Sequence, residues 1–158
     1  MHSTSAHGIS SARPEVTTRV LRPDQIMGLW PLIEPHIERA LENSFHELSL
    51  ADICVRLLSS QMVAFIAERG ESVTMVCVME MIEYPQYNVA HIVVMAGRDF
   101  RSVHKFQICL EAWALAMGCV EIRGTIQNEA TVRLFLHEAP DFKRAYTIVR
   151  HDLRGRLQ

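Results

Sequence analysis

The segment that most constrains the fold is 89–128, where an apolar strand, a short basic loop, an amphipathic helix and another strand follow one another. A strand–helix–strand unit places its two strands parallel, so this segment predicts a parallel pair within a sheet. The loop 96–102 reads Ala-Gly-Arg-Asp-Phe-Arg-Ser and lies where the first strand passes into the helix. A helix N-terminus presents unpaired N–H groups and a positive dipole end. This loop is therefore a candidate phosphate site.

The helix after this loop has the clearest periodicity in the chain. Apolar residues recur at steps of three and four, which predicts one buried seam. The seam residues are Val103, Phe106, Leu110, Trp113 and Met117, widened by Cys109, Ala112 and Ala116. Gly118 is the expected C-cap, and 120–126 alternates as a strand. Asn128 is the expected N-cap of a last helix that ends at 139–140.

The N-terminal half predicts a strand and an interrupted helix. Residues 16–21 are rich in β-favouring side chains, and Asp24 is a plausible N-cap for the helix that follows. Pro31 and Pro35 each remove a backbone donor. We therefore expect this helix to be broken or kinked within 30–36.

A second helix and three strands follow. Ser49, with Asp52 three residues later, marks the start of the helix. The apolar period then changes to two in 62–67, 73–82 and 89–95, which predicts three strands joined by short turns. Strands joined by short turns pair antiparallel.

A closing strand is predicted at 144–149, so the full order is β-α-α-β-β-β-α-β-α-β. The predicted fold class is α/β (α+β): a mixed, mostly antiparallel sheet of about six strands, flanked by four helices on both faces. We expect a flexible tail at 1–15 and a single domain at 16–158, since 158 residues is the length of one domain.

Composition narrows the function classes. The net charge of −2 gives no basic field, so nucleic acid is not expected as a partner. No apolar run approaches the roughly 20 residues of a membrane span, and the N-terminus lacks a secretory pattern. The four cysteines contain no C-x-x-C pair, which favours reduced thiols and a cytosolic setting. The eight histidines show no metal-ligand spacing, so no metal is expected.

This order of elements resembles the GCN5-related N-acetyltransferase (GNAT) superfamily over about 16–153. The resemblance rests on two helices after the first strand, three meandering strands, and the long helix that ends in Trp-Ala-Leu-Ala-Met-Gly-Cys at 113–119. A strand ending at Asn128, a short helix, and Phe142 ahead of a last strand complete it. Small divergent GNAT-like proteins are encoded by tailed bacteriophages, which would place the protein in a host cytoplasm or a virion.

The resemblance implies acetyl-CoA in a cleft between strands 89–95 and 120–126, with its pyrophosphate on an Arg/Gln-x-x-Gly-x-Gly/Ala loop. This chain departs from that pattern, because alignment on Gly97 puts Asp99 at the last position. An aspartate beside two phosphates is unfavourable, although Arg98, Arg101, His104 and Lys105 could hold an anion through side chains. The implied cofactor contacts are Met95, Gly97, Arg98, Arg101, Ser102 and Asn128. The alternative is that the loop is simply a solvated turn.

The resemblance also implies a base on the central strands and an acid near the last helix. Glu80 and His91 are the candidate bases, since either can take a proton from an amine. The position at which the resemblance implies a tyrosine acid falls on Phe135 when it is counted forward from Asn128. It falls on His137 when it is counted back from Phe142. His137 and Tyr146 are therefore the candidate acids.

Two functions remain open. One is an N-acyltransferase that transfers acetyl from acetyl-CoA to an amine. The other is a non-catalytic GNAT-like binding or assembly module with a protein partner, such as a phage virion-associated or host-targeting protein. Relatives often dimerise through their sheets or C-terminal strands, so the resemblance also implies that a homodimer could form.

Overall fold

The computed structural model describes residues 14–44, 46–99 and 103–154, which form five strands and four helices. The strands are β1 Val16–Leu21, β2 Val63–Arg69, β3 Ser72–Glu83, β4 Asn88–Gly97 and β5 Cys119–Gly124. The helices are α1 Pro23–Glu42, α2 Leu50–Leu58, α3 Val103–Ala116 and α4 Glu129–Glu138. The sheet order is β1-β2-β3-β4-β5, antiparallel throughout except for the parallel pair β4–β5. The predicted mixed, mostly antiparallel α/β fold is confirmed.

The sheet separates two hydrophobic cores. Alternate residues of β2 supply both cores: Phe65 packs under α3 with Phe106, while Ile66 packs under α1 and α2 with Ile33 and Ile53. All five of these side chains are fully buried. Helices α1 and α2 therefore cover one face of the sheet, and α3 and α4 cover the other.

The prediction of a broken first helix is wrong, because α1 runs without interruption past Pro31 and Pro35. Both prolines lie on the exposed side of the helix, while Ile33 and Ile37 on the inner side are fully buried. Burial of that inner seam offsets the two missing backbone hydrogen bonds. The N-cap also differs from the prediction: it is Arg22, two residues before Asp24, and a proline follows it at the first helical position.

Three predicted helix ends are confirmed. The Ser49 N–H donates to Asp52 Oδ2 at 2.8 Å, and the Asp52 N–H donates to Ser49 Oγ at 3.2 Å. Asn128 Oδ1 caps α4 by accepting from two backbone N–H groups, at 2.8 and 3.2 Å. Gly118, two residues after the end of α3, has φ of 72°, the left-handed conformation of a glycine that ends a helix.

The buried face of α3 is rotated from the predicted seam. Gln107 and Ala114 are buried, whereas Met117 is 43% exposed and Ala112 and Ala116 lie on the surface. The predicted seam assumed that only apolar positions face the sheet. Gln107 departs from that rule because its amide nitrogen donates to two carboxylates at the protein surface.

The predicted closing strand 144–149 is wrong, so the sheet that the described residues form has five strands rather than about six. Within 139–153 the structure describes no strand, and Tyr146, Ile148 and Val149 are 62, 59 and 91% exposed. Phe142 closes the core before this segment begins, with its ring 5.0 Å from that of Phe135. The alternating apolar residues beyond it consequently have no face on which to pack. Of the predicted tail 1–15, residues 1–13 lie outside the described residues.

Candidate functional site

Strands β4 and β5 pair along only part of their length. Their parallel register runs from Asn88 opposite Cys119 to Ile92 opposite Gly124, where β5 ends. β4 continues to Gly97, and the shift in its pairing with β3 leaves Val93 as an extra residue. A bulge of this kind bends the strand that carries it. Beyond Ile92, β4 thus has an edge without β5 beside it, and extended backbone there can pair with a ligand.

A polar cluster lies just before this opening. Glu80 on β3 and His91 on β4 are register partners, with His91 Nδ1 3.2 Å from Glu80 Oε1. Arg56 of α2 lies over the same carboxylate, with its Nη1 3.6 Å from Oε2. The two predicted bases are therefore brought together on the α2 face of the sheet. Their side chains remain about a quarter exposed, which leaves them accessible to a substrate.

Arg123 extends this row onto β5, in register with His91. Its guanidinium lies 5.5 Å from the ring centre of Tyr84 and 5.9 Å from that of Tyr87. Nη2 donates to the Tyr87 hydroxyl at 3.0 Å, and Nε and Nη2 pair with the Glu121 carboxylate. These contacts raise the pKa of Arg123, the Tyr87 hydrogen bond foremost. The guanidinium is held rigidly at the surface beside the histidine.

Gly97 lies at the end of β4 against the start of β3. A Cβ built on it would lie 2.5 Å from the Thr74 carbonyl oxygen and 2.5 Å from Met75 Cγ. The Arg98 N–H donates to the same Thr74 oxygen at 3.0 Å. The missing side chain of Gly97 therefore makes room for β3, and this accounts for the glycine without a ligand.

Asp99 is paired across the sheet rather than free in the loop. Arg69 Nη2 at the end of β2 donates to Asp99 Oδ2 at 2.5 Å, and their side chains are 33 and 19% exposed. The negative charge expected to repel a phosphate is thereby neutralised. Arg98 is exposed, and its charge contributes to lowering the pKa of His36 on α1, for which burial is the main cause. The predicted contacts Arg101 and Ser102 lie outside the described residues.

Met95 faces α3 and α4, on the side of the sheet opposite His91. It lines a cavity of about 10 Å³, room for about one water molecule, together with Phe106, Gln107 and Phe135. Gln107 Oε1 is buried and has no hydrogen-bond partner among the described residues.

The remaining predicted site residues lie apart from the Glu80–His91 pair. Asn128 uses its side-chain oxygen to cap α4. His137 is exposed on the last turn of α4, which packs on the opposite face of the sheet from α2. Tyr146 is 62% exposed in the irregular segment after α4. The structure thus brings together two of the four predicted catalytic residues.

Sequence reasoning did not identify Arg56 or Arg123 as site residues, and it did not predict that Asp99 is paired. Each acts through a partner distant in sequence, and no local period marks such a partner. Arg123 carries a weak signal, because it alternates with apolar residues in β5 and therefore faces away from the α3 core.

Comparison with solved structures places the fold. The chain superposes on aminoglycoside N-acetyltransferase AAC(6')-Iy in complex with CoA, with a TM-score of 0.65 and 16% identity over 92% of this chain and 99% of that one. It superposes equally on aminoglycoside acetyltransferase meta-AAC0020, from an uncultured soil metagenomic sample and in complex with sisomicin, with a TM-score of 0.65 and 12% identity over 88 and 97%. A predicted acetyltransferase with acetyl-CoA from Clostridium acetobutylicum gives 0.63 and 11% over 91 and 100%.

The chain therefore has the GNAT fold, as its order of elements predicts. No family model matches the sequence, and no curated protein matches it. Nothing in the comparisons supports a bacteriophage source. Across the described ranges, no helix is long and apolar enough to cross a membrane. The same ranges contain no group of three His, Cys, Asp or Glu side chains placed to hold a metal ion.

Proposed function

We propose that the protein is an N-acyltransferase that transfers an acetyl group from acetyl-CoA to an amine. The observation that carries the proposal is the Glu80–His91 pair, 3.2 Å apart, directly beside the point where β4 and β5 part. The fold is shared with acetyltransferases solved with CoA or acetyl-CoA. A base beside an unpaired strand edge is the arrangement that such a transfer needs.

His91 is the proposed general base. In the tautomer protonated at Nδ1, His91 donates a hydrogen bond to Glu80 Oε1, and Nε2 carries a lone pair directed away from the carboxylate. Nε2 can then remove a proton from an acceptor ammonium. The free amine would attack the thioester carbonyl carbon of acetyl-CoA, the C–S bond would break, and CoA would leave as a thiolate that takes up the remaining amine proton. Glu80 is a positioning residue, itself held by Arg56. The general acid stays a prediction, with His137 and Tyr146 as its candidates.

The loop after β4 fits the anionic end of the cofactor through charge. Acetyl-CoA supplies an activated acyl group and carries a diphosphate. Arg98 is exposed in the stretch of sequence between β4 and α3, and a helix N-terminus favours an anion. Arg69 cancels the charge of Asp99 in the same loop. Met95 and Gly97, at the end of the unpaired β4 edge, complete the proposed cofactor side.

Titration with acetyl-CoA tests the proposal. A ligand at a hundred times its dissociation constant stabilises the native state by about 2.7 kcal/mol, or roughly 5–10 °C in Tm for a chain of this size. Absence of a shift and of calorimetric heat at millimolar acetyl-CoA would overturn it. If the cofactor binds, Arg98→Ala should weaken binding about tenfold.

Substitution of the base tests the mechanism separately. His91→Gln should lower kcat/KM at least a hundredfold, the usual contribution of a general base. Glu80→Gln should cost about tenfold. His151→Gln, an exposed histidine near the C-terminus, is the control. An unchanged rate in His91→Gln would assign the base elsewhere.

The second candidate is a non-catalytic binding or assembly module, including a homodimer. It is favoured by the β5 edge and the segment 143–153, because Val120 and Val149 are 67 and 91% exposed. Exposed apolar residues beside an open strand edge are typical of a protein contact. Light scattering tests it: a dimer that Val149→Asp dissociates supports this function, and a monomer at all concentrations contradicts the homodimer. A cytosolic location is proposed for either function.

A further inference from the structure

We propose that Arg123 and Tyr87 form the acceptor subsite, and that the acceptor is a small amine bearing an anionic group such as a carboxylate. This inference rests on the proposed acyltransferase function and specifies its substrate class. It excludes polycationic amines as preferred acceptors.

Position supports the assignment. Arg123 is the register partner of His91 on the neighbouring parallel strand, and parallel strands lie about 4.8 Å apart. Ile92 and Ile122, the adjacent residues of each strand, pack against the α3 and α4 core. Both His91 and Arg123 therefore project from the other face, side by side. A molecule with an amine and an anionic group a few bonds apart can reach both.

The guanidinium is held in place before any ligand arrives. Two tyrosine rings lie within 6 Å of it, and Tyr87 and Glu121 take hydrogen bonds from Nε and Nη2. A cation fixed in this way loses little side-chain entropy when it binds an anion.

Donors remain available to a ligand. Among the described residues, Nη1 of Arg123 has no hydrogen-bond partner. The Tyr87 oxygen accepts from Nη2, so its own O–H can donate outward. A carboxylate can accept from Nη1 and from this hydroxyl together, and both hydrogen bonds are charge-assisted because the carboxylate is ionised.

The surrounding charges favour an anion of modest charge. Arg56 and Arg123 flank the pair formed by Glu80 and His91, while Glu121, 44% exposed, already balances Arg123. The carboxylates of Glu80 and Glu121 are already paired with Arg56 and Arg123, so a polycation would find no unpaired carboxylate in this cluster. This sets the proposed acceptor apart from the ligand of the neighbour that was solved in complex with sisomicin.

A purely structural role for Arg123 predicts a different result. In that case the residue would only fasten the turn 84–87 to β5, and its removal would lower stability without altering acceptor choice. Glu121→Gln separates the two roles. It removes the competing carboxylate while leaving both tyrosine contacts, so it should strengthen binding of an anionic ligand.

The test compares three amino acids, alanine, phenylalanine and glutamate, with their α-carboxamides as acceptors, and kanamycin as a polycation. For at least one pair the wild type should show a kcat/KM at least tenfold higher for the acid. Arg123→Met should lower the rate with the acid at least tenfold and leave the amide within twofold. Glu121→Gln should raise kcat/KM for the acid two- to fivefold, and Tyr87→Phe should lower kcat/KM for the acid threefold or more. Arg19→Met, which removes a similarly exposed pair with Glu68 at the opposite edge of the sheet, is the control.

A binding measurement separates failure of this inference from failure of the proposed function. NMR titration of the N-acetyl amino acids and their amides requires neither cofactor nor turnover. Preferential binding of the acids, lost in Arg123→Met, supports the subsite even if acetyl-CoA does not bind. Equal binding of acids and amides, or no binding of either, overturns it. So does a preference for kanamycin in the transfer assay.

Discussion

Gly97→Ala is the substitution that best tests why the loop after β4 has a glycine. Two explanations compete: close approach of a phosphate to the loop backbone, and close approach of β3. The added Cβ would lie 2.5 Å from the Thr74 carbonyl oxygen, 2.5 Å from Met75 Cγ and 2.8 Å from Met75 Cα. Two of these atoms belong to the backbone, so a rotamer change of Met75 cannot relieve the contact.

The expected cost follows from this geometry. Ordinary Cβ contacts begin near 3.4 Å, so the two strands would have to part by about 1 Å against a close-packed core. Overpacking of this kind costs about 1–3 kcal/mol. The Arg98 N–H to Thr74 oxygen bond, 3.0 Å long, would be strained as well, which adds about 1 kcal/mol. We expect a loss of about 3 kcal/mol in the free energy of unfolding, or roughly 6–12 °C in Tm.

Urea unfolding followed by tryptophan fluorescence and circular dichroism measures this loss, and two other glycines serve as controls. At Gly124 a Cβ would meet Ile92 Cβ at an ordinary 3.5 Å, so Gly124→Ala should change stability by less than about 0.5 kcal/mol. A Cβ built at Gly28, within α1, would have no described atom within 4 Å outside its own helix turn, so Gly28→Ala should stabilise by about 1 kcal/mol. The order of the three variants tests the geometry independently of any ligand.

One result would refute the reasoning. If Gly97→Ala unfolds like the wild type but binds acetyl-CoA at least tenfold more weakly, the glycine serves the ligand and not β3. If stability falls as expected, the family's glycine pattern cannot be used to judge the cofactor site of this chain.

Two further predictions concern charge. Burial lowers the pKa of His36, so near neutral pH the unfolded chain binds more protons than the folded chain does. The contribution of His36 to the free energy of unfolding should be fully present above about pH 6.5 and should decline as the pH falls toward the lowered pKa. Urea unfolding at pH 7.5, 6.0 and 5.0 should show this decline, and His36→Gln should lack it; an equal decline in the variant would contradict the assignment. Arg69→Met should weaken acetyl-CoA binding about fivefold at low salt by uncovering the Asp99 carboxylate, and the double variant with Asp99→Asn should restore binding. A double variant as weak as the single one would show that Arg69 acts only through the fold.

The fold could be predicted because its signals are local. The capping pair Ser49 and Asp52, the cap Asn128 and the left-handed Gly118 each mark a helix end within a few residues. The two prolines of α1 gave a wrong prediction of a break because they too are local signals. Their effect was offset by burial of a seam that only tertiary packing creates. The prediction of a closing strand was wrong because alternating apolar residues show only that a segment can form a strand. They do not show whether a neighbouring strand is present to pair with it.

The candidate site could be predicted only in part. Glu80 and His91 were found as separate candidates, because a carboxylate and a histidine on central strands are chemically conspicuous. Their pairing depends on the β3–β4 register, which the turn between Glu83 and Asn88 sets and which neither residue type reveals. The Arg123 contacts depend on the β4–β5 register in the same way. Sequence reasoning identifies residue types well and cross-strand partners poorly.

The loop that began as a weak match to a phosphate cradle has a consistent physical account. The close approach of β3 accounts for Gly97, so the presence of this glycine is not evidence for a phosphate site. The absence of a second glycine is likewise weaker evidence against a phosphate site. Asp99 is neutralised by Arg69, so it does not repel an anion in the way its sequence position suggests. Arg98, exposed in the sequence between β4 and α3, and the N-terminus of α3 are each favourable to an anion. Charge, rather than glycine content, is the property on which cofactor binding by this chain should depend.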